Sequence, residues 1–156
     1  MKHNAEQVWN TCGYVRLSRE DGDKEESNSV TGQKDLIRDY MTRHPELREC
    51  GMKVDDGFTG SNFDRPAFQE MMAEVKAGNI NCIVVKDLSR FGRDHLEAGE
   101  YLERIFPFLG VRFIAINDNY DSLNSNSESD ELIVPFKNLI NEAYCRDTSI
   151  KIRSQL

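Results

Sequence analysis

Apolar and polar positions alternate along the first 120 residues in two distinct periods, and the switches between them predict the elements. Gly13 to Leu17 is a short, mostly apolar run that predicts a first strand, followed by a polar loop from Glu20 to Asn28. Ser29 then opens a helical pattern, with Leu36, Ile37, Tyr40 and Met41 along one face and His44-Pro45 as its end. A weaker strand is predicted over Gly51 to Asp55. Turn-forming residues from Asp56 to Asn62 follow it, and Pro66 suits the first turn of a helix carrying Phe68, Met71, Met72 and Val75. Gly78-Asn79 stops that helix.

Ile80 to Lys86 is apolar, β-branched and nearly continuous, as expected of a strand buried on both faces of a parallel sheet. Asp94 begins a further helix through Leu96, Tyr101, Leu102, Ile105 and Phe106 that Gly110 closes, and Val111 to Ile116 forms a fourth strand. Strands alternating with helices predict an α/β fold: an open, mostly parallel sheet of four to five strands flanked by helices, with right-handed crossovers. Functional groups in such sheets lie beyond the carboxyl ends of the strands. Phe106, Phe108 and Phe113 fit helix and strand spacing and are assigned to the core, whereas Arg104, Arg112 and Arg146 are assigned to the surface.

Asp121 to Ser127 is small and polar and is expected to be a flexible connector. A new helical pattern follows, with Leu139, Ile140, Ala143 and Tyr144, and continues through Ile150 and Ile152 to Leu156 without a stop signal. The expected organisation is one domain over residues 1–128 and the start of a long linker or dimerisation helix over 129–156. The chain is then expected to be a fragment of a longer protein.

The 156 residues suffice for one domain with a real core, and a charged fraction of 30% beside 38% hydrophobic fits a globular chain with a charged surface. The net charge of −7 argues against a uniformly basic nucleic-acid binder. The acids, however, gather at Glu20 to Glu26 and Glu128 to Glu131, while Arg16, Arg19, Arg65, Lys86, Arg90 and Arg93 fall near predicted strand ends and turns. Cys12, Cys50, Cys82 and Cys145 are too widely spaced for a zinc pattern and too few for a disulfide framework, so reduced intracellular thiols are expected. The amino terminus lacks the apolar stretch of a signal peptide, and no run approaches membrane-spanning length. The cytoplasm is the expected location.

Candidate chemistry centres on Ser18, which ends the first apolar run between Arg16 and Arg19. Guanidinium groups grip phosphate oxygens in two-pronged hydrogen bonds and offset transition-state charge, so this bracket suits a phosphodiester. Arg16 also interrupts an apolar strand, where an unpaired guanidinium would be costly. A second apolar run, Ile83 to Lys86, leads into Asp87-Leu88-Ser89-Arg90-Phe91-Gly92-Arg93, and the two turns could converge on one phosphate. The three histidines are poorly placed to activate Ser18. The serine lacks the flanking glycines of a hydrolase elbow, and neither a phosphate-binding Gly-rich loop nor a calcium loop is present.

Taken in order, Tyr14-Val15-Arg16-Leu17-Ser18, Ser29-x-x-x-Gln33, Asp56-x-x-x-Gly60-x-x-x-x-Arg65-Pro66-x-Phe68 and Lys86-Asp87-Leu88-Ser89-Arg90-Phe91-Gly92-Arg93 resemble the catalytic domain of the serine recombinases, the resolvases, invertases and large integrases or transposases. The last motif is most similar to the large-recombinase branch. The resemblance implies site-specific DNA recombination: Ser18 would attack the DNA backbone and hold the 5′-phosphate covalently, with no metal or other cofactor. It implies catalytic roles for Arg16, Arg65, Arg90 and Arg93 and supporting roles for Gln33 and Tyr14. Smaller family members carry aspartate where Ser89 stands, which leaves the general acid open, with Asp87 and Ser89 as supporting candidates.

The resemblance further implies a homodimer that forms a synaptic tetramer on double-stranded DNA, with Arg146, Lys151 and Arg153 either approaching the DNA or forming the solvated face of the last helix. No sequence-reading DNA-binding domain is visible in the chain. Two other readings stay open: a non-catalytic α/β module that binds a phosphate-bearing ligand or a protein, and, more remotely, a metal-dependent nuclease using Asp55, Asp56 and Asp87.

Overall fold

In the computed structural model, residues 7–17, 29–56, 65–91 and 95–124 are described. Ser18, Arg93, Arg146, Lys151 and Arg153, the Glu20 to Asn28 loop and the whole 129–156 segment lie outside the described residues. The elements run β1 (Trp9–Leu17), α1 (Val30–Thr42), β2 (Leu47–Asp56), α2 (Pro66–Lys76), β3 (Cys82–Val85), α3 (His95–Glu100), α4 (Phe106–Leu109), β4 (Arg112–Ala115) and β5 (Tyr120–Asp121). They build one five-stranded sheet in the order β2-β1-β3-β4-β5, parallel except for β5, which returns antiparallel along β4.

Strand alternation distributes the core. Cys12, Tyr14, Ile83, Val85, Phe113 and Ala115 face one side and pack on Phe68, Met71 and Met72 of α2 and on Ala98, Leu102 and Phe106. Val15, Cys82, Val84 and Ile114 face the other side and pack on Ile37 and Met41 of α1. The sheet is therefore covered on both faces, which explains the unbroken apolar run of β3. Burial pushes the Cys12 thiol up to about 11 and the Cys82 thiol up to about 12, so both are inert core residues rather than nucleophiles. Gly13 leaves room for Met52 of β2 and Ile37 of α1, because a Cβ there would meet the Met52 sulfur at 2.5 Å and the Ile37 Cγ2 at 3.0 Å.

Local sequence sets the helix ends. The Ser29 hydroxyl accepts the Gly32 amide hydrogen at 2.9 Å and opens α1. α2 begins at Pro66, and its first amides are capped from another element: Ala67 and Phe68 donate to the Asp55 carboxylate of β2 at 2.9 and 3.0 Å. Between α3 and α4 the helix widens into a π-helical stretch, Tyr101–Ile105, which ends two residues before Pro107. The wider turn accommodates a residue that cannot donate and whose ring would clash in a regular helix. Gly110 then ends α4 at φ 71°.

Four expectations need correction. β1 and β2 begin at Trp9 and Leu47 rather than at Gly13 and Gly51, since parallel pairing extends back to Trp9 with Leu47. Asp121 does not open a flexible connector: Tyr120 and Asp121 form β5, and the Ser122 amide donates to the Phe113 carbonyl at 2.9 Å. Arg112 is buried, not superficial. Its Nε and Nη2 donate to the two Asp121 oxygens at 3.1 and 2.7 Å, and Nη1 lies 3.4 Å from Glu46. Phe108, assigned to the core with Phe106 and Phe113, is 88% exposed: the buried face runs through Ala98, Leu102 and Phe106, and Phe108, two residues further on, falls on the other side of the helix.

The Arg112 cluster generates a stability prediction. Asp121→Ala leaves a buried guanidinium short of its two-pronged partner and should lower unfolding free energy by about 3 kcal/mol, read by urea denaturation. Arg104→Ala, which removes only the exposed pair with Glu100, should change it by less than about 0.5 kcal/mol.

Candidate active site

The carboxyl ends of β1 and β3 lie side by side, because β1 pairs in parallel with β3 from Thr11 and Cys82 onward. Beyond β3 the chain turns through Lys86 and Asp87 into one 3-10 turn, Leu88–Arg90. Two carboxylates set that turn. Asp118 accepts the Leu88 amide hydrogen at 2.8 Å, and Asp87 accepts the Ser89 hydroxyl at 2.6 Å.

The turn is stitched to the end of β1 through the Arg16 residue. The Arg16 guanidinium donates through Nη2 to the Ser89 carbonyl, and the Arg90 guanidinium donates to the Arg16 carbonyl at 3.5 Å. The Gln33 amide of α1, fully buried, donates to the same carbonyl at 3.1 Å. Arg16, Arg90, Gln33 and Ser89 are thus brought together two residues before Ser18. The half-buried Arg16 retains a buried Nε with no hydrogen-bond partner among the described residues. A buried donor left unmet is costly, and an anion oxygen is the partner that would satisfy it.

Tyr14 and Arg65 form a second group beneath the first. The Tyr14 hydroxyl donates to Asp55 at 2.7 Å and accepts from the Arg65 Nε at 3.2 Å. Burial, the largest influence, pushes the Tyr14 phenol well above its ordinary range despite the nearby Arg65 charge. Arg65 is itself buried: Nη1 pairs with Glu97 at 2.8 Å, Nη2 donates to the Phe91 carbonyl, and the guanidinium lies over the Phe68 ring at 4.1 Å from its centroid. Sequence reasoning grouped Arg65 with Arg16 and Arg90, yet its guanidinium points into this cluster.

Glu97 and the capping role of Asp55 were missed. Glu97 carried no signal, being one acid among many on a charged helix, and Asp55 entered only as a possible metal ligand. Both Asp55 oxygens are engaged by Tyr14, Ala67 and Phe68. Among the described residues no group of three or more His, Cys, Asp or Glu side chains could hold a metal ion, and no helix is long and apolar enough to cross a membrane.

Tyr14→Phe should cost about 1–3 kcal/mol by leaving Asp55 and Arg65 without the hydroxyl between them. Folded Tyr14 keeps its proton while an unfolded tyrosine ionises near about pH 10. Its contribution to stability should therefore fall as pH rises above that value, and the Tyr14→Phe protein should lose less stability there in alkaline denaturation.

Comparison with known proteins identifies the family and shows where the fold recurs. A family model described as the resolvase N-terminal domain matches residues 11–156. The N-terminal catalytic domain of TP901-1 integrase is similar in fold with a TM-score of 0.66 at 22% identity, over 85% of this chain and 94% of that one. A resolvase family site-specific recombinase from Streptococcus pneumoniae gives 0.63 at 23% identity, over 94% of this chain and 95% of that one. The C-terminal catalytic domain of ISC1926 TnpA, an IS607-like serine recombinase, gives 0.55 at 16% identity, over 81% and 75%.

Proposed function

The chain belongs to the resolvase N-terminal domain family and is the catalytic domain of a serine site-specific recombinase, and on that premise we propose that Ser18 is the nucleophile that cuts and holds the DNA strand. The Ser18 hydroxyl oxygen bonds to phosphorus as the bond to the 3′ oxygen breaks. The 5′-phosphate stays on the serine and a 3′-hydroxyl is released. The reverse attack, by a 3′-hydroxyl of another strand, frees Ser18 and reseals the backbone, so the phosphodiester energy is kept and no ATP or metal is required.

The observation that carries this reading is the mutual anchoring of Arg16 and Arg90 at the end of β1, two residues before Ser18. These guanidiniums, joined by Arg93 in the following segment, are suited to bind the non-bridging oxygens and offset charge as the phosphorus becomes five-coordinate. Gln33 and Tyr14 support them from behind, and Arg65 serves through its buried cluster. Ser89 directly precedes Arg90 and donates its hydroxyl hydrogen to Asp87, and these two residues are the candidates to deliver a proton to the departing 3′ oxygen.

DNA is the substrate, and the family works as an oligomer. Each subunit supplies one serine, and exchange between two duplexes breaks four strands, which supports a dimer that pairs into a synaptic tetramer. Arg146, Lys151 and Arg153 would add phosphate contacts, and residues 129–156 would form the linker and dimerisation segment. Acting on intracellular DNA, the protein would work in the cytoplasm.

Incubating the full recombinase with site DNA in EDTA should trap a covalent adduct that peptide mass spectrometry maps to Ser18. Ser18→Ala should abolish the adduct and keep binding. Arg16→Ala should slow single-turnover cleavage about 100- to 1000-fold. Metal-dependent cutting without an adduct would overturn the reading.

A further inference from the structure

Arg65 is placed where a free phosphate clamp would not be. Its guanidinium is buried, stacks on Phe68, and donates to Tyr14, Glu97 and the Phe91 carbonyl. A guanidinium removed from water needs a counter-charge, and Glu97 provides it from α3 at 2.8 Å, with its own side chain 23% exposed. The same guanidinium holds the Phe91 carbonyl, and Phe91 directly follows Arg90 in the 3-10 turn. Phe91 is also fully buried against Phe68 and Tyr101, which edge-stack with it at 5.5 and 5.6 Å. Arg65 therefore bridges α3 to the end of the turn that presents Arg90, and Glu97 is the group that keeps the bridge neutral and in place.

We infer that Glu97 is a positioning residue for strand cleavage: acting through Arg65, it fixes the Phe91 end of the turn and so aims Arg90 at the phosphate beside Arg16. The inference rests on the recombination reading above. Without the carboxylate, Arg65 loses its ion-pair partner in an apolar cluster and is drawn toward solvent. The Phe91 carbonyl then loses its donor, and Arg90 loses its fixed origin.

The test measures the first-order rate of Ser18 adduct formation by the full recombinase on saturating site DNA. Glu97→Gln should lower that rate roughly 10- to 100-fold, the scale of a small misplacement in an oriented reaction, while DNA affinity stays within about twofold, since a carboxylate is not a phosphate-binding group. Glu97→Asp should recover most of the rate by restoring the charge. In an Arg65→Gln background, Glu97→Gln should have a much smaller effect than in the parent. That coupling is the mark of action through Arg65 and would not arise from general loss of stability. If the parent forms the Ser18 adduct but Glu97→Gln matches its rate, or if the two substitutions multiply, the inference is overturned while the recombination reading stands. If the parent itself forms no adduct, the recombination reading is what fails.

Discussion

A guanidinium taken out of water must find an anion or a set of oxygen acceptors, and the carboxyl end of this sheet is organised around that requirement. Arg16 enters the apolar strand β1 and is held by the Ser89 carbonyl. Arg90, almost fully buried, reaches back to the Arg16 carbonyl, and Arg65 is held between Tyr14, Glu97 and the Phe91 carbonyl. Each of these contacts joins elements distant in sequence. The turn after β3 thus has its position set by cations from β1 and from the start of α2, and it cannot shift without exposing or orphaning one of them.

The arrangement divides labour among the arginines. Arg65 is paired with Glu97, fixed beneath the surface and tied to the Phe91 carbonyl. Arg16 retains an unmet buried donor, and among the described residues its guanidinium is held by a backbone carbonyl, which carries no full charge. Charge left uncompensated at one point of an acidic domain is suited to an anion that arrives, and it reconciles a net charge of −7 with a DNA substrate. Because α2 is capped by Asp55, the acid that also holds Tyr14, the support of Arg65 is tied directly to the packing of α2 on the sheet.

Much of this was legible in the sequence. The apolar runs of β1, β3 and β4, the Ser29 start of α1 and the Pro66 start of α2 follow from periodicity and capping. β2 was read short because it is an edge strand whose exposed positions carry Arg48, Glu49 and Cys50, which hides the pattern. β5 has two residues, too few for any period. Phe108 is aromatic, which suggests burial, but it lies two residues past Phe106 and off the Ala98-Leu102-Phe106 face. Arg112 gave the same signal as Arg16, a cation inside an apolar strand, and deserved the same reading. Glu97 could not have been found, since only the fold brings it to Arg65, some thirty residues away in sequence.

The central claim is that Arg16 and Arg90 form one phosphate seat at the joined ends of β1 and β3. The most direct measurement is a crystal structure of the Ser18→Ala recombinase bound to uncut site DNA. The account predicts the scissile phosphate within about 3 Å hydrogen-bond reach of both guanidiniums, with residue 18 facing the phosphorus opposite the 3′ oxygen. A scissile phosphate bound by other side chains, with Arg16 and Arg90 still turned to their backbone partners, would contradict it.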